Sequence, residues 1–201
     1  MNAVMEAIVG RRSIRQFEDK EIDNETIENI IKAARFAPSA DNRQPWRFIV
    51  IKNREVIRRL AEEVKKTMHK ILKRRLTLKF SIKELKDWQQ RQFIKAVLSQ
   101  KKDFIFFDAP LLIFIISEKG IFNRESCACA AQNMMLYAHS CGLGSCWIGF
   151  AHSLNYNKAF RKEFGLEKEQ FIASAIIFGY PKNIPKAPLR KIEADVMKWI
   201  E

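Results

Sequence analysis

Apolar positions in the first third of the chain predict a helix, a loop and a strand. Between residues 27 and 34 they follow the i, i+3, i+4, i+7 spacing of a helix with one buried face. Asp23 or Asn24 is predicted to cap this helix. Pro38 ends it, because proline has no N–H to donate and disfavours helical geometry in the preceding residue. The polar residues that follow predict a loop, and 46–51 predicts a largely buried strand.

The rest of the chain divides by the same criteria. Further helices are predicted over 2–10, 54–75, 81–102, 124–141 and 154–164, and strands over 107–116 and 172–179. The 107–116 run is continuously apolar, so we expect a strand covered on both faces. The 124–141 helix is apolar nearly all round, so we expect it to pack on every side. Gly142 then suits the helix C-cap, and the proline-punctuated, basic stretch 180–191 predicts an extended arm.

Length and composition indicate a globular chain. The 201 residues suit one domain, and a hydrophobic content of 47% supplies a sizeable core. No N-terminal signal segment is recognised. The longest apolar run, 104–116, is interrupted by Asp108 and Pro110 and is too short to span a bilayer. We therefore expect a soluble, cytoplasmic protein with a single domain over 1–201, in which 54–103 is a basic helical insertion or lid.

Positive charge is concentrated in that insertion. The formal charge is +13, from 36 Lys and Arg against 23 Asp and Glu. Residues 54–103 hold 16 basic and 6 acidic residues, hence +10 of the total. Nucleic-acid binding must be considered for such a segment, but it carries no RRM, zinc-finger or Gly-rich basic signature. The favoured interpretation is a solvated basic face over a helical pair, which would attract anionic small molecules such as nucleotides.

Four cysteines lie close together in the sequence, at Cys127, Cys129, Cys141 and Cys146. A metal site is disfavoured, because C-x-C on a helix directs its two thiols to different faces. No CxxC pair or familiar histidine spacing accompanies them. We therefore expect small buried hydrophobic residues in a reducing cytosol, and no metal site.

Two polar stretches have the chemistry of a ligand site. In an extended RRSIR segment, Arg11, Ser13 and Arg15 share one face, and two guanidinium groups around a hydroxyl suit a phosphate ester. The loop 39–44 leaves backbone N–H groups free to meet a flat, polar-edged ligand. Gly149 suits a position where the backbone approaches such a ligand closely. Each stretch alone is better explained as an ordinary basic surface or turn.

Taken in order, the segments form a recognisable set. They are RRSIR after the first helix, APSADNRQPW, a DAP strand, a packed helix with Gln132 and Asn133, GLGSCWIG, a strand ending in Gly-Tyr-Pro, and a basic tail. This order resembles the nitroreductase-like family of flavin-dependent oxidoreductases over nearly the whole chain, least so over 54–103. The resemblance implies an α+β, three-layer fold with a mixed, mainly antiparallel sheet flanked by helices. It also implies an intertwined homodimer with a C-terminal arm on the partner and FMN at the interface.

The resemblance implies particular cofactor contacts. The matched residues are Arg11, Arg12, Ser13, Arg15, Pro38, Ser39, Ala40, Asn42, Ile148, Gly149, Arg190 and Lys191. The first four match the segment that holds the phosphate, ribityl chain and pyrimidine edge. The next four match a loop contributed by the other subunit. The Ile148–Gly149 turn matches the backbone N–H that faces flavin N5, and the last two match the basic tail over the phosphate.

The resemblance implies hydride passage from NADH or NADPH through FMN to an electron-poor acceptor, such as a nitroaromatic or quinone, in two half-reactions at one site. No catalytic side chain is expected, because the cofactor carries the chemistry. The alternatives are a specialised reductase for one metabolite, an FMN-binding protein without turnover, and a basic nucleic-acid-binding protein. Ala40 replaces a common Ser, and 54–75 offers no counterpart of the family's flavin-facing polar group. Both departures bear on the substrate class.

Overall fold

This computed structural model describes residues 1–73, 88–190 and 196–201 of the chain. The helices are α1 (Ala3–Gly10), α2 (Asn24–Arg35), α3 (Arg54–Lys73), α4 (Trp88–Ser99), α5 (Asn123–Ser140) and α6 (Lys158–Glu163). The strands are β1 (Arg47–Ile51), β2 (Leu111–Glu118), β3 (Gly144–Trp147) and β4 (Gln170–Gly179). Two 3₁₀ segments span Ala40–Asn42 and Gly149–Tyr156. The remainder of the predicted 54–75 and 81–102 helices, at 74–75 and 81–87, lies outside the described residues.

The strands form one antiparallel sheet in the order β1-β2-β4-β3. A parallel bridge between Ser13 and Ser145 adds the RRSIR segment to the outer side of β3. The pairing is therefore mixed and mainly antiparallel, as predicted. Every residue of 111–117 is buried, which confirms a β2 strand covered on both faces.

Helices cover both faces of this sheet. On one face, Ile57 and Leu60 of α3 and Phe160 of α6 pack with β2 and β4. On the other face, Ile30 of α2 and Met134 of α5 pack on the same two strands. The Phe114 and Phe160 rings meet edge to face at 5.6 Å, an arrangement that aromatic pairs favour. The predicted α+β, three-layer arrangement is confirmed.

The residues predicted to begin and end helices do so in the structure. Asp23 is the cap of α2, and its side chain accepts hydrogen bonds from the Thr26 N–H at 2.7 Å and the Thr26 hydroxyl at 2.8 Å. These bonds lower the pKa of the Asp23 carboxyl. The α2 helix ends at Arg35, before Pro38. Gly142 follows α5 with a φ of 74°, the left-handed geometry that a glycine adopts without steric cost.

Two strand predictions were wrong in detail. Although 46–51 was expected to be largely buried, β1 pairs only with β2 at the sheet edge and leaves Val50 exposed. The strand predicted from residue 107 begins at Leu111. Phe107 and Asp108 have positive φ and form a turn instead. The Asp103 carboxylate holds this turn by accepting the Asp108 N–H at 3.2 Å.

Helix α5 was expected to pack on every side, but one stripe remains open. Glu125, Cys129 and Gln132 are exposed along it. Cys127 and Cys146 are buried as predicted, whereas Cys129 and Cys141 are exposed, so that prediction was half wrong. Hydrophobic content alone does not show which face of α5 other elements cover. No group of potential ligands in the described ranges suits a metal ion.

The helix predicted over 154–164 is broken in two. A 3₁₀ segment ends at Tyr156, and α6 begins at Lys158. Asn157 separates them by capping α6, since its side-chain oxygen accepts the N–H groups of Ala159 at 3.0 Å and Phe160 at 3.2 Å.

Apolar side chains remain uncovered at both ends of the chain. The exposed ones on α1 are Val4, Met5, Ile8 and Val9, and those in the tail are Ile184, Leu189, Val196, Met197, Trp199 and Ile200. Residues 182–190 form no helix or strand, in agreement with the predicted arm. Within the described residues, no helix is both long and apolar enough to cross a membrane.

Candidate functional site

A cavity of about 1730 Å³ lies where β3 meets the 3₁₀ segment that follows it. Its lining comes from segments far apart in sequence: 15–19, α3 and α4, the loop 100–108, and 146–156. Ligand pockets in proteins commonly have volumes of about 300–1,000 Å³. This cavity therefore has room for more than one small aromatic ligand.

The RRSIR segment is held in place by backbone hydrogen bonds. The Ile14 N–H donates to the Ser145 carbonyl at 2.9 Å, and the Lys182 N–H donates to the Gln16 carbonyl at 3.0 Å. Ile14 is buried, whereas Ser13 and Arg15 face outward. The alternation predicted from an extended segment is therefore present.

Gly144 allows this close packing. A Cβ atom at Gly144 would lie only 2.6 Å from Cγ1 of Ile14. The Ile14 side chain thus occupies space that any residue other than glycine would need. The position of Ser13 and Arg15 depends on this contact, because Ile14 lies between them.

Three predicted residues converge on one thiol. The side chains of Ser13 and Arg15 lie close to the Cys146 sulphur, and the charge of Arg11 acts on it as well. Burial raises the pKa of the Cys146 thiol, and these three neighbours oppose that rise. Cys146 and Arg15 also line the cavity. The arrangement gives this end of the cavity a positive corner, which suits an anionic group.

Arg12 points elsewhere and has a local structural role. Its guanidinium Nη1 donates to the carbonyls of Val9 at 2.6 Å, Gly10 at 3.0 Å and Arg11 at 2.9 Å. Carbonyls at the end of a helix lack intrahelical partners. Arg12 therefore caps α1, which distinguishes it from the three residues around Cys146.

The turn at Ile148 and Gly149 presents backbone to the cavity. Ile148 is buried, and its N–H donates to the Ala175 carbonyl at 2.8 Å. Gly149 begins the 3₁₀ segment, so its N–H has no acceptor within that segment. A Cβ at Gly149 would meet nothing within 4 Å. A flat ligand could therefore approach this N–H closely.

The loop predicted to meet the flavin lies outside the cavity lining of its own chain. Its residues Pro38, Ser39, Ala40 and Asn42 are absent from that lining. The φ values are 51° at Asp41, 52° at Asn42 and 47° at Gln44, a left-handed geometry that is uncommon without glycine. Such geometry persists only where contacts hold it. Here the Ser39 hydroxyl accepts the Gln44 N–H at 3.0 Å, and the Ala40 N–H donates to the Ser126 hydroxyl at 3.4 Å.

The two tail residues also contribute nothing to this lining. Arg190 is exposed and is not among the lining residues. Lys191 lies outside the described residues. Of the predicted contacts, Arg15, Ile148 and Gly149 line the cavity, whereas Arg11, Arg12, Ser13, the loop and Arg190 do not. Ser13 and the charge of Arg11 act on Cys146, which does line it.

Sequence reasoning did not single out the loop that forms the opposite wall. Lys102, Phe104 and Phe107 line the cavity from it. Asp103 organises this loop, because its carboxylate accepts the N–H groups of Ile105 at 2.8 Å and Phe106 at 2.9 Å. The local signal for such a turn is an aspartate two to three residues before the N–H groups that it can accept.

Comparison with known proteins identifies the family. The family model for the Nitroreductase family matches residues 8–180. The chain belongs to the nitroreductase family. A Methanothermobacter thermautotrophicus protein, named as an NADH dehydrogenase/NAD(P)H nitroreductase, is 30% identical over 90% of this chain and 79% of its own length. An iodotyrosine deiodinase from Thermotoga neapolitana is 31% identical over 67% of each chain.

Solved structures of the nitroreductase family share the fold. A Bacteroides fragilis nitroreductase crystallised with bound FMN superposes with a TM-score of 0.79, covering 100% of both chains at 23% identity. This agreement confirms the fold expected from the order of motifs.

Proposed function

We propose that this nitroreductase-family protein is an FMN-dependent NAD(P)H oxidoreductase that reduces an electron-poor acceptor. The observation that carries the proposal is that Arg15, Cys146 and the Ile148–Gly149 turn line one cavity, with Ser13 and the charge of Arg11 acting on the Cys146 thiol at its edge. The name of the Methanothermobacter relative supports NAD(P)H use. The bound FMN of the Bacteroides fragilis structure supports the cofactor.

The residues present suit FMN. Arg11 and Ser13 offer a guanidinium and a hydroxyl for the phosphate and ribityl chain. Arg15 would stabilise negative charge at the pyrimidine edge. The Gly149 N–H would orient the ring without a side chain in the way. FMN, when bound, supplies two-electron transfer between the nicotinamide and the acceptor.

We propose that a second copy of the chain completes the site. The loop 38–42 and Arg190 lie outside the cavity of their own chain, and α1 and the tail expose many apolar side chains. A homodimer would bury these surfaces and bring the partner's loop and arm to the cofactor. Most closed assemblies of identical chains are symmetric, so each dimer would contain two such sites.

The acceptor is proposed to be a nitroaromatic or a quinone, with a specialised metabolite reductase as the second candidate. The volume of the cavity favours a ligand bound beside the ring of the cofactor. Steady-state comparison of a panel of acceptors distinguishes the two candidates. A broad reductase reduces most of the panel at similar kcat/KM, whereas a specialised enzyme prefers a single compound.

An anaerobic titration tests the central proposal. The purified protein is expected to be yellow, and either NADH or NADPH is expected to bleach the visible absorbance of the flavin. Adding a nitroaromatic or a quinone is then expected to restore the absorbance. A colourless protein that takes up no FMN would overturn the proposal. A yellow protein whose flavin absorbance is bleached by neither NADH nor NADPH would indicate a flavin-binding protein without turnover.

Substitution of Arg11 tests the phosphate assignment. Arg11→Ala should weaken FMN binding by about 1.5–3 kcal/mol, as for a lost charge-assisted hydrogen bond. Fluorescence titration of the apoprotein with FMN measures this change. Arg12→Ala is the comparison, because Arg12 caps α1 and should affect stability more than FMN affinity. Equal FMN affinities in Arg11→Ala and the wild type would refute the assignment.

A further inference from the structure

Five aromatic side chains of the described residues line the cavity, and together they are called its aromatic wall. They are Phe93, Phe104, Phe107, Phe150 and Tyr156. Phe93 is 64% exposed, Tyr156 63% and Phe104 38%. The Phe104 and Phe107 rings meet edge to face at 6.2 Å. Exposed aromatic rings around a concave space suit a planar aromatic ligand.

Among the described residues, cations outnumber anions around the same cavity. The charged lining residues are Arg15, Arg54, Arg58, Lys102, Arg124 and Lys182, against Asp19, Asp103 and Asp108. Arg54 pairs with Asp19 at 2.9 Å, and Arg58 pairs with Asp108 at 2.8 Å. The Asp103 carboxylate accepts backbone N–H groups instead.

Lys102 is the cation that shares a loop with Phe104 and Phe107 of the aromatic wall. In the part of the chain that the structure describes, Lys102 and Lys182 make no ion pair, and Arg15 is assigned to the cofactor. Arg124 lies over the Phe171 ring, with 4.5 Å between its guanidinium carbon and the ring centroid. Lys102 lies two residues before Phe104, on the loop that supplies two of the five aromatic residues. An anionic substituent on a ring held by this wall could therefore meet the Lys102 ammonium.

We propose that the physiological acceptor is a planar aromatic compound with an anionic substituent, and that Lys102 selects for that charge. The inference rests on the proposed function and specifies its substrate class. For a nitro acceptor, the nitrogen gains the two electrons of NAD(P)H and one N–O bond breaks. The hydride equivalent and one solvent proton leave with that oxygen as water, and a nitroso compound forms.

The oxidative half-reaction tests the proposal without a nicotinamide. The FMN enzyme is reduced anaerobically with dithionite and mixed by stopped flow with 4-nitrobenzoate, neutral 4-nitrobenzamide or cationic 4-nitrobenzyltrimethylammonium. Lys102→Gln should raise the apparent Kd for 4-nitrobenzoate by about 5- to 20-fold, between the effects typical of an exposed ion pair and of a hydrogen bond to a charged group. The apparent Kd for neutral 4-nitrobenzamide should change by less than about 2-fold, because this compound has no charge to pair with Lys102. For each compound, the apparent Kd of the variant is divided by that of the wild type. This ratio removes the contribution of the compound's own electron affinity.

Lys101→Gln is the matched control, because Lys101 is the exposed neighbour that does not line the cavity. It should leave both apparent Kd values unchanged. Added salt should reduce the preference of the wild type for the carboxylate. Equal effects of Lys102→Gln on all three acceptors, or equal effects of the two lysine substitutions, would overturn the proposal.

Calorimetry and the redox cycling of the flavin separate the possible outcomes. Calorimetric titration of the oxidised holoenzyme with benzoate and benzamide requires no turnover, and Lys102→Gln should weaken only benzoate binding. If the flavin cycles with the neutral nitro compound but shows no charge preference, the inference fails and the proposed function stands. If the flavin does not cycle, the proposed function fails. If Lys102→Gln weakens NADPH binding alone, Lys102 serves the phosphates of the nicotinamide cofactor and the inference is wrong.

Discussion

The segment 11–17 and the loop 36–44 are both predicted to contact FMN, but the structure holds them differently. The first is bonded to distant residues, as in the 2.9 Å bond from the Ile14 N–H to Ser145, and it supplies Arg15 to the cavity. The second is held largely by bonds within itself and supplies nothing to that cavity. One chain thus supplies one part of the proposed site, and the proposed partner chain would supply the rest.

The apolar surfaces show the same contrast. Ile113 and Phe114 in β2 are completely buried by helices of the same chain. On α1, Ile8 is 48% exposed, and Trp199 in the tail is 76% exposed. Since exposed apolar patches commonly mark interaction sites, the proposed second copy would account for both the open surfaces and the incomplete site. The predictions below separate the part that one chain builds from the part that a partner would complete.

The largest effect is expected from a charge placed on α1. Ile8→Glu would bury a carboxylate without a partner in the proposed dimer, which costs several kcal/mol. We expect a monomer by analytical ultracentrifugation and a protein that loses FMN on gel filtration. Lys162→Glu is the control, because Lys162 is exposed on α6, on the opposite face of the sheet. A dimeric Ile8→Glu protein with bound FMN would show that α1 is not part of the interface.

A smaller effect is expected within the part that one chain builds. Gly144→Ala would place a Cβ 2.6 Å from Cγ1 of Ile14, and overpacking of this kind costs about 1–3 kcal/mol. Chemical denaturation of the apoprotein should show that loss, and displacement of Arg15 should weaken FMN binding. Gly149→Ala is the matched control, since its Cβ meets nothing within 4 Å. The apoprotein should then keep its free energy of unfolding within about 0.5 kcal/mol. Equal stabilities of the two variants would contradict the packing argument.

Local signals in the sequence predicted much of the fold. Asp23, Pro38 and Gly142 set helix ends through hydrogen bonding and backbone geometry within a few residues, so their effects can be read directly. The order of motifs then indicated the family, which supplied the sheet arrangement. Arg11, Ser13 and Arg15 could be placed on one face for the same reason, because alternation in an extended segment is local.

Features that depend on distant contacts could not be predicted in this way. Val50 is exposed because β1 has one neighbouring strand, and the period of apolar residues does not contain that information. Asp41 and Asn42 adopt left-handed geometry, which aspartate and asparagine tolerate better than most residues, but residue type alone does not show that both adopt it here. Lys102 meets the cavity only after the chain has folded. The residues of the cavity wall could therefore be identified only from the structure.

The smallest effect concerns pH and a histidine in the part that one chain builds. Burial lowers the pKa of His152 from its ordinary 6.5, as does the charge of Arg124, while the Ile172 carbonyl acts in the opposite direction. Below about pH 6.5 the unfolded chain therefore binds a proton that the folded chain resists. Stability should fall as the pH decreases from this value towards the folded pKa, by at most about 1.4 kcal/mol per pH unit for one proton.

His152→Gln should remove this share of the pH dependence in denaturation experiments at several pH values. In this variant His139 should still contribute to the pH dependence of stability, because burial and the charges of Arg11 and Arg12 lower its pKa as well. The effect of His152 should persist in the monomeric Ile8→Glu protein, since its burial comes from its own chain. Loss of the effect on dissociation would mean that the partner also shapes this wall of the cavity.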